Sequence, residues 1–352
     1  MIAKLTSEAI ELLKKLIATQ SFSKEEDGTA ALIEDWFNTN EIPFERRGNN
    51  IIAYNKHFDE SKPTLLLNSH HDTVKPNSAY TRDPFSPDVE DGKLYGLGSN
   101  DAGGCLVSLI ATFTYFYNQA NLAYNIVIVA SAEEENSGMY GLNSTLEFLP
   151  EIEFAIVGEP TLLNLAIAEK GLMVFDGKIK GTPSHAAHPN DDNSIYNTIE
   201  VLEWFRDYKF ERISEQLGEV KMTVSQINAG KQHNVVPAHT DIVIDVRVTD
   251  KYSNQEVYDI IKDNAPCEVT PRSLRLNSSS IDKNHPVVLA GIELGRETYG
   301  SPTLSDQAVL SCQSLKLGPG DSKRSHSADE FIYLSEIEEG VDLYIKLLKK
   351  IL

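Results

Sequence analysis

The sequence predicts an α/β protein: a mainly parallel sheet flanked by helices, with an inserted α+β domain. Three observations carry this reading. The runs at 65–67, 126–129 and 154–157 are short, apolar throughout and separated by helical segments. Strands buried on both faces of a parallel sheet read this way. From about residue 171 the pattern changes to polar–apolar alternation, as in Asp-Ile-Val-Ile-Asp-Val-Arg-Val at 241–248; such strands cover a core on one face and meet water on the other. Beyond the serines at 278–280 helical periodicity returns. The expected organisation is therefore one domain from 1–170 and 282–352, interrupted by a second at 171–281.

The elements follow in order. Thr6 and Ser7 read as N-caps, after which Ile10, Leu13, Leu16 and Ile17 recur at helical spacing. A second helix is expected over 29–38, stopping before Pro43. Between the apolar strands, 105–118 and 140–148 read as helices. In the insert, strands at 173–180, 221–227 and 241–248 are interleaved with helices at 193–207 and 254–264. The stretches 287–298 and 335–348 read as helices that return to the first domain. There is no internal repeat.

Composition narrows the function. The 352 residues carry 52 acidic and 32 basic side chains, a formal net charge of -20. Nucleic-acid binding rests on Lys and Arg neutralising phosphates, so no nucleic-acid partner is expected, and anionic membranes are disfavoured in the same way. Cys105, Cys267 and Cys312 are too few and odd in number for a disulfide framework, which fits a reducing, cytoplasmic compartment. The first residues have no basic head followed by an apolar stretch, so no signal peptide is expected. No run approaches the ~18 apolar residues of a membrane span.

Acids and histidines gather where strands end. His70-His71-Asp72 follows the 65–67 run, Glu133-Glu134-Glu135 follows 126–129, and Glu159 follows 154–157. Asp101 lies in a glycine-rich turn before a helix, and His326 adds an imidazole from the C-terminal part. Taken singly, each has an ordinary reading: a structural histidine, a helix-start acid, a turn aspartate. In open α/β sheets, however, ligands bind beyond the carboxyl ends of strands. Carboxylates crowded there repel one another unless cations neutralise them, and a mixed His/carboxylate set suits Zn²⁺ or its neighbours.

These motifs, in this order, resemble the co-catalytic zinc peptidase/deacylase family that includes acetylornithine deacetylase, succinyl-diaminopimelate desuccinylase, the carboxypeptidase G type and PepT-like aminopeptidases. The resemblance covers essentially the whole chain. Ser69-His70-His71-Asp72-Thr73-Val74 is similar to the family's Gly-His-x-Asp-x-Val. By resemblance His70 and Glu159 complete a first metal site, Glu135 and His326 a second, and Asp101 bridges two divalent ions: zinc, with cobalt or manganese as alternatives. Asp72 orients His70. Glu134 is the general base, and a one-residue shift of register leaves Glu133 as the other candidate. Ala102-Gly103 departs from the bulky residue and lysine that the family has after the bridging aspartate.

The insert resembles the family's lid and dimerisation domain. His185, in Gly181-Thr-Pro-Ser-His-Ala-Ala-His-Pro189, would reach a neighbouring subunit of a homodimer and hydrogen-bond the oxyanion. Asn234, Arg247, Gly318, Gly320 and Arg324 resemble substrate-binding positions. His71, His188, His233 and His239 are read as supporting or surface residues, and His57 and His285 as surface ones. The implied reaction is metal-assisted amide hydrolysis, with Glu134 moving the proton. No covalent nucleophile is expected: the serines near the motifs lack a base, and Cys105 falls within a helix. The stretch 318–331 resembles the acetylornithine deacetylase branch, which implies N-acetyl-L-ornithine as substrate, in arginine biosynthesis. The alternatives are deacylation of N-succinylornithine, N-acetylcitrulline, N-acetyl-lysine or succinyl-diaminopimelate, exopeptidase action on di- or tripeptides, and a metal-binding scaffold without turnover.

Overall fold

The computed structural model describes residues 1–352. The chain forms two compact units, one made of Met1–Ile167, Ser280–Tyr299 and Ser305–Leu352, the other of Ala168–Ser279 and Gly300–Leu304.

The larger unit is built on parallel strands. Asn125–Ser131, Thr64–His70, Ile152–Val157 and Gln313–Lys316 lie side by side in that order, all parallel. Every residue of Thr64–His70 and Asn125–Ser131 is buried, which is why these runs are apolar without alternation. At one edge Asn50–Tyr54 and Phe44–Arg47 continue the sheet antiparallel. Phe44–Arg47 and Gln313–Lys316 have no apolar run to mark them in the sequence, while Asn50–Tyr54 carries the short run Ile51-Ile52-Ala53.

Helices Ile2–Ile17, Asp27–Thr39, Gly104–Phe116 and Leu334–Leu348 supply one core, with Leu13, Phe37, Phe113 and Tyr344 within it. Helix Gly104–Phe116 is apolar nearly all round and nearly all buried. Truncating Phe113 to Ala would cost about 3–5 kcal/mol through lost transfer energy and the cavity left behind. A smaller cluster that includes Ile52, Leu66, Val127 and Ala155 packs elsewhere on the sheet.

Three local expectations change. The first helix begins at Ile2, so Thr6 is inside it, its hydroxyl bonded back to the Ile2 carbonyl at 3.1 Å. The stretch 140–148 forms two 3₁₀ turns, Leu142–Ser144 and Leu146–Phe148; the Ser144 and Thr145 hydroxyls bond local carbonyls and compete with a regular helix. The helix expected over 287–298 spans Pro286–Glu293. It stops at Gly295, φ +81°, where Gly295 N–H bonds the Ile292 carbonyl and Arg296 N–H that of Gly291, a Schellman cap. Thr298 then starts a strand, Thr298–Ser301.

The smaller unit is an antiparallel sheet in the order Lys221–Ala229, His239–Val248, Gly171–Lys180, Glu268–Pro271. Phe175, Ile179, Ile242, Ile244 and Val246 meet Val201, Phe205, Val257 and Ile261 of helices Ser194–Asp207 and Asn254–Asn264. Both helices start at side-chain caps. Asn193 Oδ1 accepts from Ile195 N–H at 3.0 Å, and Ser253 forms a capping box with Glu256. No helix of the chain is long and apolar enough to cross a membrane.

Candidate metal centre and active site

Parallel strands share polarity, so their carboxyl ends meet at one edge of the sheet. His70 is the last residue of Thr64–His70. Glu134 and Glu135 follow Asn125–Ser131, and Glu159 follows Ile152–Val157. Asp101 comes from the turn that opens helix Gly104–Phe116, where the Asp101–Ala102 peptide is cis. His326 comes from the loop after Gln313–Lys316, with φ +57°.

Their donor atoms converge in two triads. His70, Asp101 and Glu159 place ligand atoms within 4.8 Å of one another, as do Asp101, Glu135 and His326, so Asp101 belongs to both. His70 Nε2 lies 3.4 Å from Asp101, 3.9 Å from Glu159 and 4.0 Å from Glu134. His326 Nε2 is 2.9 Å from Glu135 and 3.6 Å from Asp101. His70 Nε2 is buried yet has no hydrogen-bond partner. Most of these separations are long for direct hydrogen bonds and suit groups converging on an intervening ion. The donor set therefore fits two divalent cations.

Asp72 holds this arrangement from behind. Its backbone carbonyl faces His70 Nδ1 at 3.0 Å. Its carboxylate accepts from Ser23 Oγ at 2.7 Å and from the backbone N–H groups of Glu134 and Glu135 at 3.0 and 3.1 Å. One buried residue thus supports the first imidazole through its carbonyl and the acidic turn through its carboxylate. Gly318 and Gly320 pack the far loop against the same region. A Cβ on Gly318 would stand 2.5 Å from Cys105 Sγ and 2.6 Å from the Glu159 carbonyl, and one on Gly320 2.5 Å from Asn100 Oδ1. Gly320 also has φ +91°.

Electrostatics show a centre short of positive charge. Burial pushes Glu134 well above the ordinary carboxylate range, reinforced by Glu159. Burial and the Asp101 charge push Glu159 up to about 8. Burial alone would lower His70, but Asp101, Asp72 and Glu134 hold its pKa well above the usual value. The hydrogen bond with Glu135 raises His326 to about 9. Burial opposes ionisation of Asp72 and Asp101 too, yet hydrogen bonding and the charge of His70 keep both carboxyls below their ordinary value. Without metal, protons on the imidazoles supply positive charge that a cation would otherwise bring.

His185, Asn234 and Arg247 belong to the smaller unit. His185 is exposed on a two-residue strand paired with Val235–Val236, its Nδ1 accepting from Ala187 N–H at 3.1 Å. The exposed Asn234 offers its backbone carbonyl to Ala186 N–H at 3.0 Å. Arg247 pairs with Asp245 at 2.9 and 3.1 Å. In the larger unit the Arg324 guanidinium grips Glu336 through two bonds of 2.7 and 2.8 Å and covers Phe331 and Tyr333. Its fork is occupied within the fold.

His71 is buried between Thr29 Oγ1 at 2.8 Å and the Asn49 carbonyl at 2.9 Å. His285, expected at the surface, caps helix Pro286–Glu293 and lies against Phe154.

Two buried acids near the cluster escaped the sequence reading. Asp306 accepts from Ser131 Oγ at 2.5 Å, Ser131 in turn accepting from Asn68 at 2.9 Å; burial raises Asp306 to about 6. Glu330 accepts from the backbone of Asn100 and Asp101. Nothing local marks Asp306, and only nearness to His326 marks Glu330.

A largely parallel α/β sheet that brings paired His/carboxylate triads to its carboxyl edge defines the co-catalytic metallohydrolase class. The chain belongs to peptidase family M20/M25/M40, whose sequence profile matches residues 66–350. It is thereby a metal-dependent hydrolase acting on acyl amino acids or peptides. The chain is 25% identical over 375 residues to succinyl-diaminopimelate desuccinylase of Wolbachia pipientis subsp. Culex pipiens, covering 97% of this chain and 93% of that one. It is 27% identical over 376 residues to acetylornithine deacetylase of Proteus mirabilis, covering 97% and 96%. In fold it is similar to a dinuclear metal-binding M20 peptidase of Bacillus subtilis, with a TM-score of 0.77 at 16% identity and 98% of each chain covered.

Proposed function

We propose that this chain hydrolyses the amide bond of an Nα-acyl amino acid, with N-acetyl-L-ornithine as its substrate and L-ornithine and acetate as products. The observation that carries the hydrolytic chemistry is the pair of triads sharing Asp101, with Glu134 at their edge. The acetylornithine assignment is supported by the 318–331 stretch and by an acetylornithine deacetylase among the relatives. On this reading the enzyme serves arginine biosynthesis in the cytoplasm.

His70 and Glu159 are assigned to one ion, Glu135 and His326 to the other, and Asp101 to both. Zinc suits the set, with cobalt or manganese as alternatives. When bound, the ions acidify water and polarise the acyl carbonyl. Glu134 takes the proton from the attacking water and hands it to the leaving amine. Its side chain lies 4.0 Å from His70 Nε2, whereas the Glu133 side chain packs against Gly138; this favours Glu134 over Glu133 as the base. Asp72 keeps His70 and the Glu134–Glu135 backbone in register.

The segment 171–281 is assigned as a lid that also dimerises. Ile195, Tyr196 and Ile199 of helix Ser194–Asp207 and Ile227 of the edge strand are exposed apolar groups. Edge strands of this kind pair readily with another chain. In the homodimer His185 donates to the oxyanion in the site of a neighbouring subunit. Asn234 and Arg247 on the lid, with Gly318, Gly320 and Arg324, are assigned to the substrate side, and the engaged fork of Arg324 makes it the first of these to test.

The deciding experiment is a panel of N-acetylornithine, N-succinylornithine, N-acetylcitrulline, N-acetyl-lysine, succinyl-diaminopimelate and dipeptides, run with purified enzyme and each metal. Highest kcat/KM on N-acetylornithine is the expected result. A preference for any other member overturns the specific assignment. Exopeptidase action is the second reading, supported by the peptidase named among the structural neighbours.

A further inference from the structure

We propose that Glu330 is a positioning residue that clamps the backbone of the Tyr95–Asp101 turn, so that the Asp101 carboxylate is presented between His70 and His326. The proposal rests on the metal-centre reading above and adds a residue to which that reading gives no part.

Glu330 is only 1% exposed, and a carboxyl group so placed needs partners. Its partners are backbone amides of one turn. Oε1 accepts from Asn100 N–H at 2.8 Å and from Asp101 N–H at 2.9 Å. The Glu330 backbone carbonyl accepts from Gly96 N–H at 2.9 Å. Successive backbone N–H groups turned toward one anion form a nest. Here the acceptor at the nest is the protein's own Glu330 carboxyl oxygen. Gly96 and Gly98, at φ +136° and +75°, let the chain curl that far. The glycine-rich turn around Asp101 thus has a physical purpose that its sequence alone does not disclose.

The same short loop carries His326, four residues earlier. Asp329 ties it to Thr81 and Arg82 through their backbone N–H groups at 2.8 and 2.9 Å, and Asn77 Nδ2 donates to the His326 carbonyl at 3.1 Å. Asn100 is also held from its other side, its side-chain amide exchanging two 3.1 Å bonds with the Asp321 backbone. A single loop therefore fixes a ligand of the second triad directly and the shared aspartate through its own amides. Loss of Glu330 should loosen both triads at once.

Three variants test this. Glu330→Gln keeps an accepting oxygen; Glu330→Met keeps the volume without one; Glu330→Ala removes both. Amide hydrogen exchange of Asn100 and Asp101 in metal-free protein reads the clamp independently of any ion. Met and Ala should raise exchange there at least about tenfold while Gln stays near wild type, with thermal unfolding recorded to exclude global loss of structure. Titration with Zn²⁺ should then show both affinities weakened about 10–100-fold in Met and kept in Gln, the usual size of an effect transmitted through a ligand's support. Unchanged amide exchange in folded Met protein overturns the proposal. Faster exchange with both affinities intact overturns it too. A wild-type titration with no two-ion signature instead overturns the metal reading and leaves the exchange result to decide the clamp.

Discussion

In the larger unit Asp72, Asp101, Glu134, Glu135, Glu159 and Glu330 are buried or half-buried within one small region, whereas in the smaller unit Asp176, Asp207, Glu256 and Glu268 stand in water, paired with Arg272, Arg206, Arg212 and Lys180. The second kind of pair is screened by solvent and contributes little. Withdrawing a carboxylate from water is costly unless something compensates it. Burial that raises several acid pKa values at one sheet edge is therefore the mark of a working site, and the smaller unit's charges mark a surface.

The comparison breaks most directly at Glu134. Glu134→Gln should lower kcat about 100- to 10,000-fold, the usual size of a general-base effect, while bound metal measured by atomic emission stays at the wild-type amount. Full activity in this variant would transfer the role to Glu133 or to water alone.

A second expected loss crosses to the smaller unit. His185→Ala should lower kcat about 100- to 1,000-fold with little change in metal content, as removal of an oxyanion donor does. Wild-type turnover would leave His185 as an ordinary exposed turn residue.

Metal removal sharpens the electrostatic side. Glu159, pushed up to about 8 when metal-free, binds its proton more tightly folded than unfolded. That contribution falls away as pH rises from about 4.5 through 8. His326, raised to about 9, contributes stability that is fully present below its unfolded pKa of about 6.5 and is lost as pH rises through 9. Both signs agree. The Tm of chelator-treated protein should therefore drop between pH 6 and 9, and saturating Zn²⁺ should flatten or reverse the slope. A metal-free Tm that climbs over this range would contradict the charge balance described for the cluster.

The smallest effect belongs to the smaller unit. Ser253→Ala removes the cap of helix Asn254–Asn264 and should cost about 1 kcal/mol, read as a lower Tm with unchanged metal binding. Hydrogen bonds from the Ser253 backbone, Arg212 and the Ser253 side chain lower Glu256 to about 2. Its contribution is present above about 4.5 and lost as pH falls toward 2, opposite in direction to the metal-free cluster.

Legibility in the sequence followed the strength of periodicity. Runs buried on both faces, such as Thr64–His70, and alternating ones, such as His239–Val248, announced themselves because burial dictates residue type at every position or every second one. The 3₁₀ turns at Leu142–Ser144 and Leu146–Phe148 and the strand Gln313–Lys316 did not, since short elements are set by tertiary partners. Ligand candidates were legible because His and acids at strand ends are few. Asp306 and Glu330 were not, because an acid's burial is not written in its neighbours.

By itself the sequence determined the fold class and placed candidate donors near strand ends, because hydrophobic periodicity and strand polarity act locally and repeat; their division between two ions came from the family resemblance. Only the tertiary structure decided that Asp101 belongs to both triads, that Arg324 is held by Glu336, that Asp72 supports an imidazole and an acidic turn together, and that a glycine-rich turn wraps Glu330. Each depends on groups brought together from distant parts of the chain, and the bond exists only once packing has removed the water that would otherwise take its place.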